Sequence, residues 1–125
     1  MVRRVTRELT TSDTDDGWMV RVDGVPFTGE VVDTKDGQLE GITTYRDGEL
    51  DGPECWYYPD GTKESEGQHS MGTVVGEWRM WYPDGKLKEF NVFDRWGSIR
   101  KIQRWDERGN LVQDTEHQGA HGGEW

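Results

Sequence analysis

Hydrophobic and polar positions alternate along this chain over short runs, each bounded by glycine, proline or aspartate. Alternation with a period of two is typical of strands with different environments on their two faces, and no stretch of helical length shows the spacing of an amphipathic helix. The pattern therefore predicts an all-β fold. The predicted strands are Trp18–Val22, Glu30–Thr34, Leu39–Arg46, Glu54–Tyr58, Lys63–Ser70, Glu77–Tyr82, Leu87–Asp94 and Ile102–Asp106.

The glycines that separate these runs recur every 24 residues, as do several aromatic positions. A fixed period of this length is the signature of a repeat architecture, and two glycine series within one period predict two turns and two strands per repeat. One series slips by one residue at its last member. The members are Gly37, Gly61, Gly85 and Gly109 in one series, Gly24, Gly48, Gly72 and then Gly97 in the other, and Tyr57, Trp81 and Trp105 among the rings.

The corners have the residues that tight turns require. In the segments 58–61 and 82–85, both Tyr-Pro-Asp-Gly, proline presets φ, aspartate hydrogen-bonds the local backbone and glycine accepts positive φ. Asp47-Gly48 and Asp23-Gly24 make a second kind of turn. The sequence thus predicts corners at residues 37, 61 and 85.

Strands joined by short turns pair antiparallel, so the predicted architecture is an elongated, twisted, single-layer meander sheet of β-hairpin repeats. Alternation places Tyr57, Trp81 and Trp105 on one face, and Trp56, Trp78 and Met80 on the other. Neighbouring repeats then suffice to bury the rings. A β-sandwich or closed barrel is the alternative.

Three regions are predicted along the chain. Residues 1–16 form a polar N-terminal extension with a capping strand around Arg4–Leu9, and residues 17–115 form the repeat domain. Residues 116–125 form a glycine-rich tail that is predicted to be disordered.

Composition agrees with a thin fold and indicates the kind of partner. Hydrophobic residues make up 31% of the chain, but there are 7 Trp, 4 Tyr and 3 Phe. The net charge is −10, and the segment Glu30–Glu66 carries 11 acidic and 3 basic residues. Such a field repels nucleic acid and anionic lipid, so we expect no nucleic acid or membrane partner and a basic protein partner that approaches the first half.

Candidate chemistry is sparse. His69 occupies a ring position that it shares with Tyr45 and Phe93, which predicts packing, and His117 and His121 have metal-ligand spacing but no helix to present them. Cys55 is the single cysteine, so an internal disulfide is excluded. We therefore expect no catalytic residues, metal or cofactor. The chain has no apolar stretch that could serve as a signal or membrane span, which predicts a cytoplasmic protein.

With the repeat laid out, the chain resembles the variant MORN repeat, and in particular the YwqK-like bacterial antitoxin or immunity proteins. Asp23–Gly29 is similar to the family's opening segment, Gly48–Pro53 to its link between hairpins, and Gly76–Glu89 to the body of one repeat. The likeness covers roughly Gly17 to Val112. It implies a non-enzymatic protein that binds and neutralises a co-produced toxin, often a nuclease.

A rigid sheet with acidic side chains and exposed rings would suit such a partner, since complementary charge speeds encounter and a few buried rings supply most affinity. A scaffold or self-associating module that pairs through its sheet edges is the alternative, and a glycan- or lipid-binding repeat is less favoured. The predicted partner-binding residues are Trp56, Tyr58 and Trp78 with Glu49, Asp51, Glu54, Glu64 and Glu66.

Overall fold

The computed structural model describes residues 3–12 and 19–118, and its elements are strands apart from one turn of 3₁₀ helix at Arg7–Leu9. This confirms the predicted all-β class. The strands are β1 (Arg4–Thr6), β2 (Thr10–Ser12), β3 (Val20–Val22), β4 (Val25–Pro26), β5 (Gly29–Lys35), β6 (Gln38–Arg46), β7 (Glu49–Tyr57), β8 (Lys63–Ser70), β9 (Thr73–Trp81), β10 (Leu87–Phe93), β11 (Ile99–Trp105) and β12 (Leu111–Glu116).

Nine of the strands form one open sheet in the order β1-β5-β6-β7-β8-β9-β10-β11-β12. From β5 onward each strand pairs antiparallel with the next, which confirms the predicted meander. The sheet is mixed, because β1 pairs parallel with β5 and sets Arg4 opposite Glu30. The strands β2, β3 and β4 form a second, small sheet.

Glycine corners lie at residues 37, 61 and 85 as predicted, but they are of two kinds. Asp36-Gly37 is a two-residue turn in which both residues have positive φ, at 51° and 80°, the geometry of a type I′ hairpin. The loop 58–62 is longer. Tyr58 donates its backbone N–H to the carbonyl of Thr62 at 2.8 Å, and Gly61 donates its own to the carbonyl of Tyr58 at 2.9 Å.

The irregular spacing at Gly97 follows from a change of turn type. Met71-Gly72 is a two-residue turn with positive φ at both residues. One repeat later the chain uses the longer loop, in which the Asp94 N–H donates to the Ser98 carbonyl at 2.9 Å. The longer loop displaces its glycine by one position, which accounts for the slip in the glycine series.

Two further glycines mark β-bulges inside strands. Gly52 in β7 and Gly76 in β9 have φ of 109° and 72°, and the pairing register shifts opposite each of them. A bulge sets extra residues of one strand against its partner and increases the local twist. The segment Gly48–Pro53 is therefore a turn glycine followed by a bulged strand, and not a link outside the strands.

The buried hydrophobic core lies at the N-terminal end of the large sheet. It joins β3 of the small sheet to β1, β5 and β6, and consists of Val5, Val20, Val22, Phe27, Val31 and Tyr45. The predicted N-terminal capping segment is thus a strand followed by a helical turn, and it covers this core. Arg7 bridges to Asp33 at 3.0 Å beside it.

The C-terminal boundary differs slightly from the prediction. Glu116 belongs to β12, where it pairs with Lys101, and His117 donates its backbone N–H to the carbonyl of Arg100 at 2.8 Å. The predicted disorder is therefore wrong at residues 116 and 117, because their backbone groups continue the sheet. Residues 119–125, including His121, lie outside the described residues, as do Trp18 and residues 13–16.

Candidate partner-binding surfaces

Two tryptophans on one face of the sheet are seated on glycines of neighbouring strands. Trp56 pairs with Gly41 and Trp78 lies beside Gly67, and a Cβ atom on either glycine would overlap the indole ring. The absence of a side chain lets each ring lie against the neighbouring backbone. Register links Trp56 through Ser65 to Met80, so these residues share a face as predicted.

Trp78 is the centre of an aromatic cluster. The ring of His69 meets it edge to face at a centroid distance of 5.4 Å, and the ring of Phe93 at 6.5 Å. The indole Nε1 donates to the carbonyl of Val75 at 3.2 Å. The predicted packing role of His69 is confirmed. Since Trp78 is half-buried between these neighbours, its main contacts are within the array.

Tyr58 also makes contacts within the array. Its hydroxyl donates to the backbone carbonyl of Trp81 at 2.6 Å, and the ring is half-buried. Burial, and then the charge of Glu64, raise the pKa of the Tyr58 phenol. Tyr82 repeats the arrangement by donating to the carbonyl of Trp105 at 2.7 Å. The two tyrosines therefore join successive repeats.

Two of the five predicted carboxylates serve the fold. Asp51 accepts the backbone N–H of Met71 at 2.9 Å and so fixes the turn between β8 and β9. Glu66 accepts from Lys63 Nζ at 2.6 Å, and this hydrogen bond raises the pKa of the lysine.

The other three predicted carboxylates, Glu49, Glu54 and Glu64, have no hydrogen-bond or ion-pair partner among residues 3–12 and 19–118. Their charge is therefore not compensated by a contact within the described part of the chain. Of the five predicted carboxylates, these three remain available for a partner.

The predicted residues do not form one site. Glu54 lies two residues from Trp56 in β7, on the same face, whereas Glu66 pairs with Cys55 and Arg79 on the opposite face. Glu49 and Asp51 line a shallow groove with the exposed Met71 at the other end of the hairpins.

A bulge between β7 and β8 places Glu64 beside Trp56. The register passes from Trp56 opposite Ser65 to Tyr57 opposite Lys63, and so leaves both Glu64 and Ser65 beside Trp56. A groove of about 500 Å³ lies here. Glu40 and Leu39, which were not predicted from the sequence, line this groove from the preceding hairpin. The available signal was their position directly before Gly41, the residue that pairs with Trp56. The lining residues are Lys35, Asp36, Gln38, Leu39, Glu40, Trp56, Tyr57, Pro59 and Glu64.

The described residues were expected to hold no metal ion and no membrane-spanning segment. No group of three or more His, Cys, Asp or Glu side chains there is placed to hold a metal ion. Cys55 is a half-buried free thiol in β7. None of the helical structure within residues 3–12 and 19–118 is long and apolar enough to cross a membrane.

An open sheet with rings packed between its strands, and with carboxylates that have no partner among the described residues, is typical of a repeat-based binding or interaction module. Comparison with protein families supports this class. The family model described as the MORN repeat variant matches residues 50–70 and 74–89. The match to the MORN repeat variant therefore lies in the central hairpins of the sheet.

Two other comparisons add little. No curated protein matches the chain. One chain of the crystal structure of the GtfA/B complex bound to UDP and GlcNAc is similar over 93% of this chain and 27% of its own length, with a TM-score of 0.38 and 10% identity. This chain therefore spans about a quarter of that one, and the likeness is too distant to support an argument.

Proposed function

We propose that this chain is a non-enzymatic immunity protein that binds and neutralises a basic toxin domain in the cytoplasm. The observation that carries the proposal is the set of uncompensated carboxylates Glu49, Glu54 and Glu64 on a MORN-type repeat sheet. Their charge adds to the acidic excess of the first half of the chain. The resemblance to the YwqK-like antitoxins supplies the class of partner.

The sheet would act as a rigid docking surface. Complementary charge raises the rate of encounter between a negative surface and a positive partner, and the effect weakens as salt is added. Affinity would then come from rings and apolar groups that are buried in the complex. Since Trp78 and Tyr58 are held within the array, Trp56 beside Glu64 is the ring best placed for this role.

The proposal predicts that a neighbouring gene encodes a toxic domain, and the test uses that domain together with the full chain. Expression of that domain alone should arrest growth, and co-expression of this chain should restore growth. Purified proteins should form a complex whose association rate falls steeply between low and high salt. Absence of both protection and binding would overturn the proposal.

A charge-matched pair of variants tests the mechanism. The triple variant Glu49→Gln/Glu54→Gln/Glu64→Gln should associate roughly tenfold more slowly at low salt, since steering contributes one or more orders of magnitude to association. The control, Glu8→Gln/Glu107→Gln/Glu116→Gln, removes the same charge elsewhere. Equal slowing by both variants would show that net charge, and not the location of these groups, matters.

Self-association is the second candidate, and the exposed edge of the sheet favours it. β12 is the last strand of the large sheet, and its Leu111 and Val112 are 49% and 63% exposed. An open edge carries backbone groups that can pair with another strand. Sedimentation over a hundredfold concentration range would test this; a monomer throughout would exclude it.

A further inference from the structure

The groove beside Trp56 has one fixed aromatic wall. The indole of Trp56 lies over Gly41, where even a methyl group would not fit, so its orientation is set by the backbone of β6. A ring held in this way needs no reordering when a ligand approaches, which lowers the entropic cost of binding. The groove is thus preorganised on its aromatic side.

Its other walls carry uncompensated negative charge. Asp36, Glu40 and Glu64 line the groove, and none of the three has an ion-pair or hydrogen-bond partner within the described ranges. Lys35 is the one cation among the lining residues. The groove therefore has an excess of carboxylates around a tryptophan.

Several carboxylates elsewhere on the sheet are paired with a cation of this chain. Glu30 is paired with Arg4, Asp33 with Arg7, Glu77 with Arg79, Glu66 with Lys63 and Glu89 with Arg104. In each case the cation is supplied by this chain. The described part of the chain supplies no such cation to Glu40 or Glu64, although both line the groove beside Trp56.

We propose that this groove binds an arginine side chain of the protein partner, with the guanidinium against the Trp56 indole and its N–H groups donated to Glu40 and Glu64. The inference deepens the proposed function and rests on its broader part, that the chain binds a protein. A planar guanidinium can stack on a ring and bond a carboxylate through two parallel N–H groups at once. An ammonium group lacks both properties, so arginine should be preferred to lysine.

The experiment is an NMR titration of the ¹⁵N-labelled full chain. The probes are N-acetyl-arginine methylamide, its lysine counterpart, and the citrulline counterpart, which has nearly the same shape but no charge. The arginine probe should cause saturable shifts of the Trp56 indole N–H, with millimolar affinity that is at least about tenfold tighter than that of citrulline, since charge-assisted hydrogen bonds are the stronger kind.

Matched variants locate the site. Glu40→Gln/Glu64→Gln should weaken arginine binding at least about tenfold, because both acceptors lose their charge. Glu107→Gln/Glu116→Gln changes the net charge equally at the far end of the sheet and should change the affinity less than about twofold. The amide spectrum of each variant shows directly whether it is folded.

The outcomes separate this inference from the proposed function. Absence of shifts at Trp56, equal binding of citrulline or lysine, or an equal effect of the two variants would each overturn the arginine site, while toxin neutralisation could still be observed. Specific arginine binding without protection from the neighbouring toxin would overturn the immunity function and leave the groove as a site for another protein.

Discussion

The hydroxyl of Tyr58 donates to the backbone carbonyl of Trp81 at 2.6 Å, across the boundary between two repeats. Tyr82 makes the same bond to Trp105 at 2.7 Å. Both tyrosines open a longer loop, and each acceptor ends the strand that leads into the loop one repeat later. The repeated bond therefore ties each hairpin loop to the following hairpin and fixes their relative position.

Removing this hydroxyl should lower stability without changing the fold. Tyr58→Phe keeps the ring and loses the hydrogen bond, which contributes about 0.5–1.5 kcal/mol in a typical protein. Tyr82→Phe should cost a similar amount, and the two effects should add because the bonds lie in different repeats. Urea denaturation of the single and double variants measures this. Free energies of unfolding unchanged by either substitution would contradict it.

The period and corners were predictable because they depend on local chemistry. Lys63–Ser70 was predicted with the bounds that the structure has, since glycine corners enclose it on both sides. β7 was predicted to begin at Glu54 but begins at Glu49. Gly52 and Pro53 are typical strand-ending residues, and the bulge that accommodates them depends on the partner strand β6.

The candidate site was harder to predict from the sequence. Whether one of its side chains is available to a partner depends on hydrogen bonds to residues far away along the chain. Asp51 and Glu49 look alike in sequence, yet Asp51 binds the N–H of Met71, 20 residues away. Tyr58 looked like an exposed ring, yet its hydroxyl acceptor lies 23 residues away. Glu40 lines the groove because its neighbour Gly41 pairs with Trp56 across the sheet.

A methyl group at Gly67 should disturb the aromatic cluster of Trp78. Gly67 has an ordinary strand conformation, so Gly67→Ala tests the contact and not the backbone. Overpacking of this kind costs about 1–3 kcal/mol. The penalty should shrink in a Trp78→Leu background, where the indole is gone. A double-mutant cycle by urea denaturation checks this; the same penalty in both backgrounds would count against the contact.

The buried ion pair between Asp94 and Arg100 should contribute far more to the free energy of unfolding than the exposed ion pairs do. Their side chains are 0% and 4% exposed and lie 3.6 Å apart, and Asp94 also accepts the N–H groups of Trp96 and Ser98. Removal of one member of a buried pair leaves an uncompensated charge and costs about 3–5 kcal/mol.

Asp94→Ala should therefore lower the free energy of unfolding by about that amount. The control is Glu77→Gln, which breaks the exposed pair with Arg79 and should cost at most about 1 kcal/mol. Thermal and urea unfolding of both variants provide the measurement. If the two variants were equally stable, the Asp94–Arg100 pair would not have the role that its burial indicates.

The last loop should make stability depend on pH through Asp106. The carboxylate accepts the backbone N–H groups of Asn110 at 3.0 Å and Arg108 at 2.9 Å, and these bonds, that from Asn110 foremost, lower the pKa of Asp106 below its usual 3.8. A group whose pKa is lower in the folded state stabilises the fold above the unfolded pKa. The contribution should be lost as the pH falls through 3.8 toward the folded value. Asp106→Asn should therefore be less stable than the parent chain at pH 6, with the difference in the free energy of unfolding narrowing on acidification. Urea denaturation between pH 6 and pH 3 tests this, and a gap between Asp106→Asn and the parent that stayed constant over that range would refute the assignment.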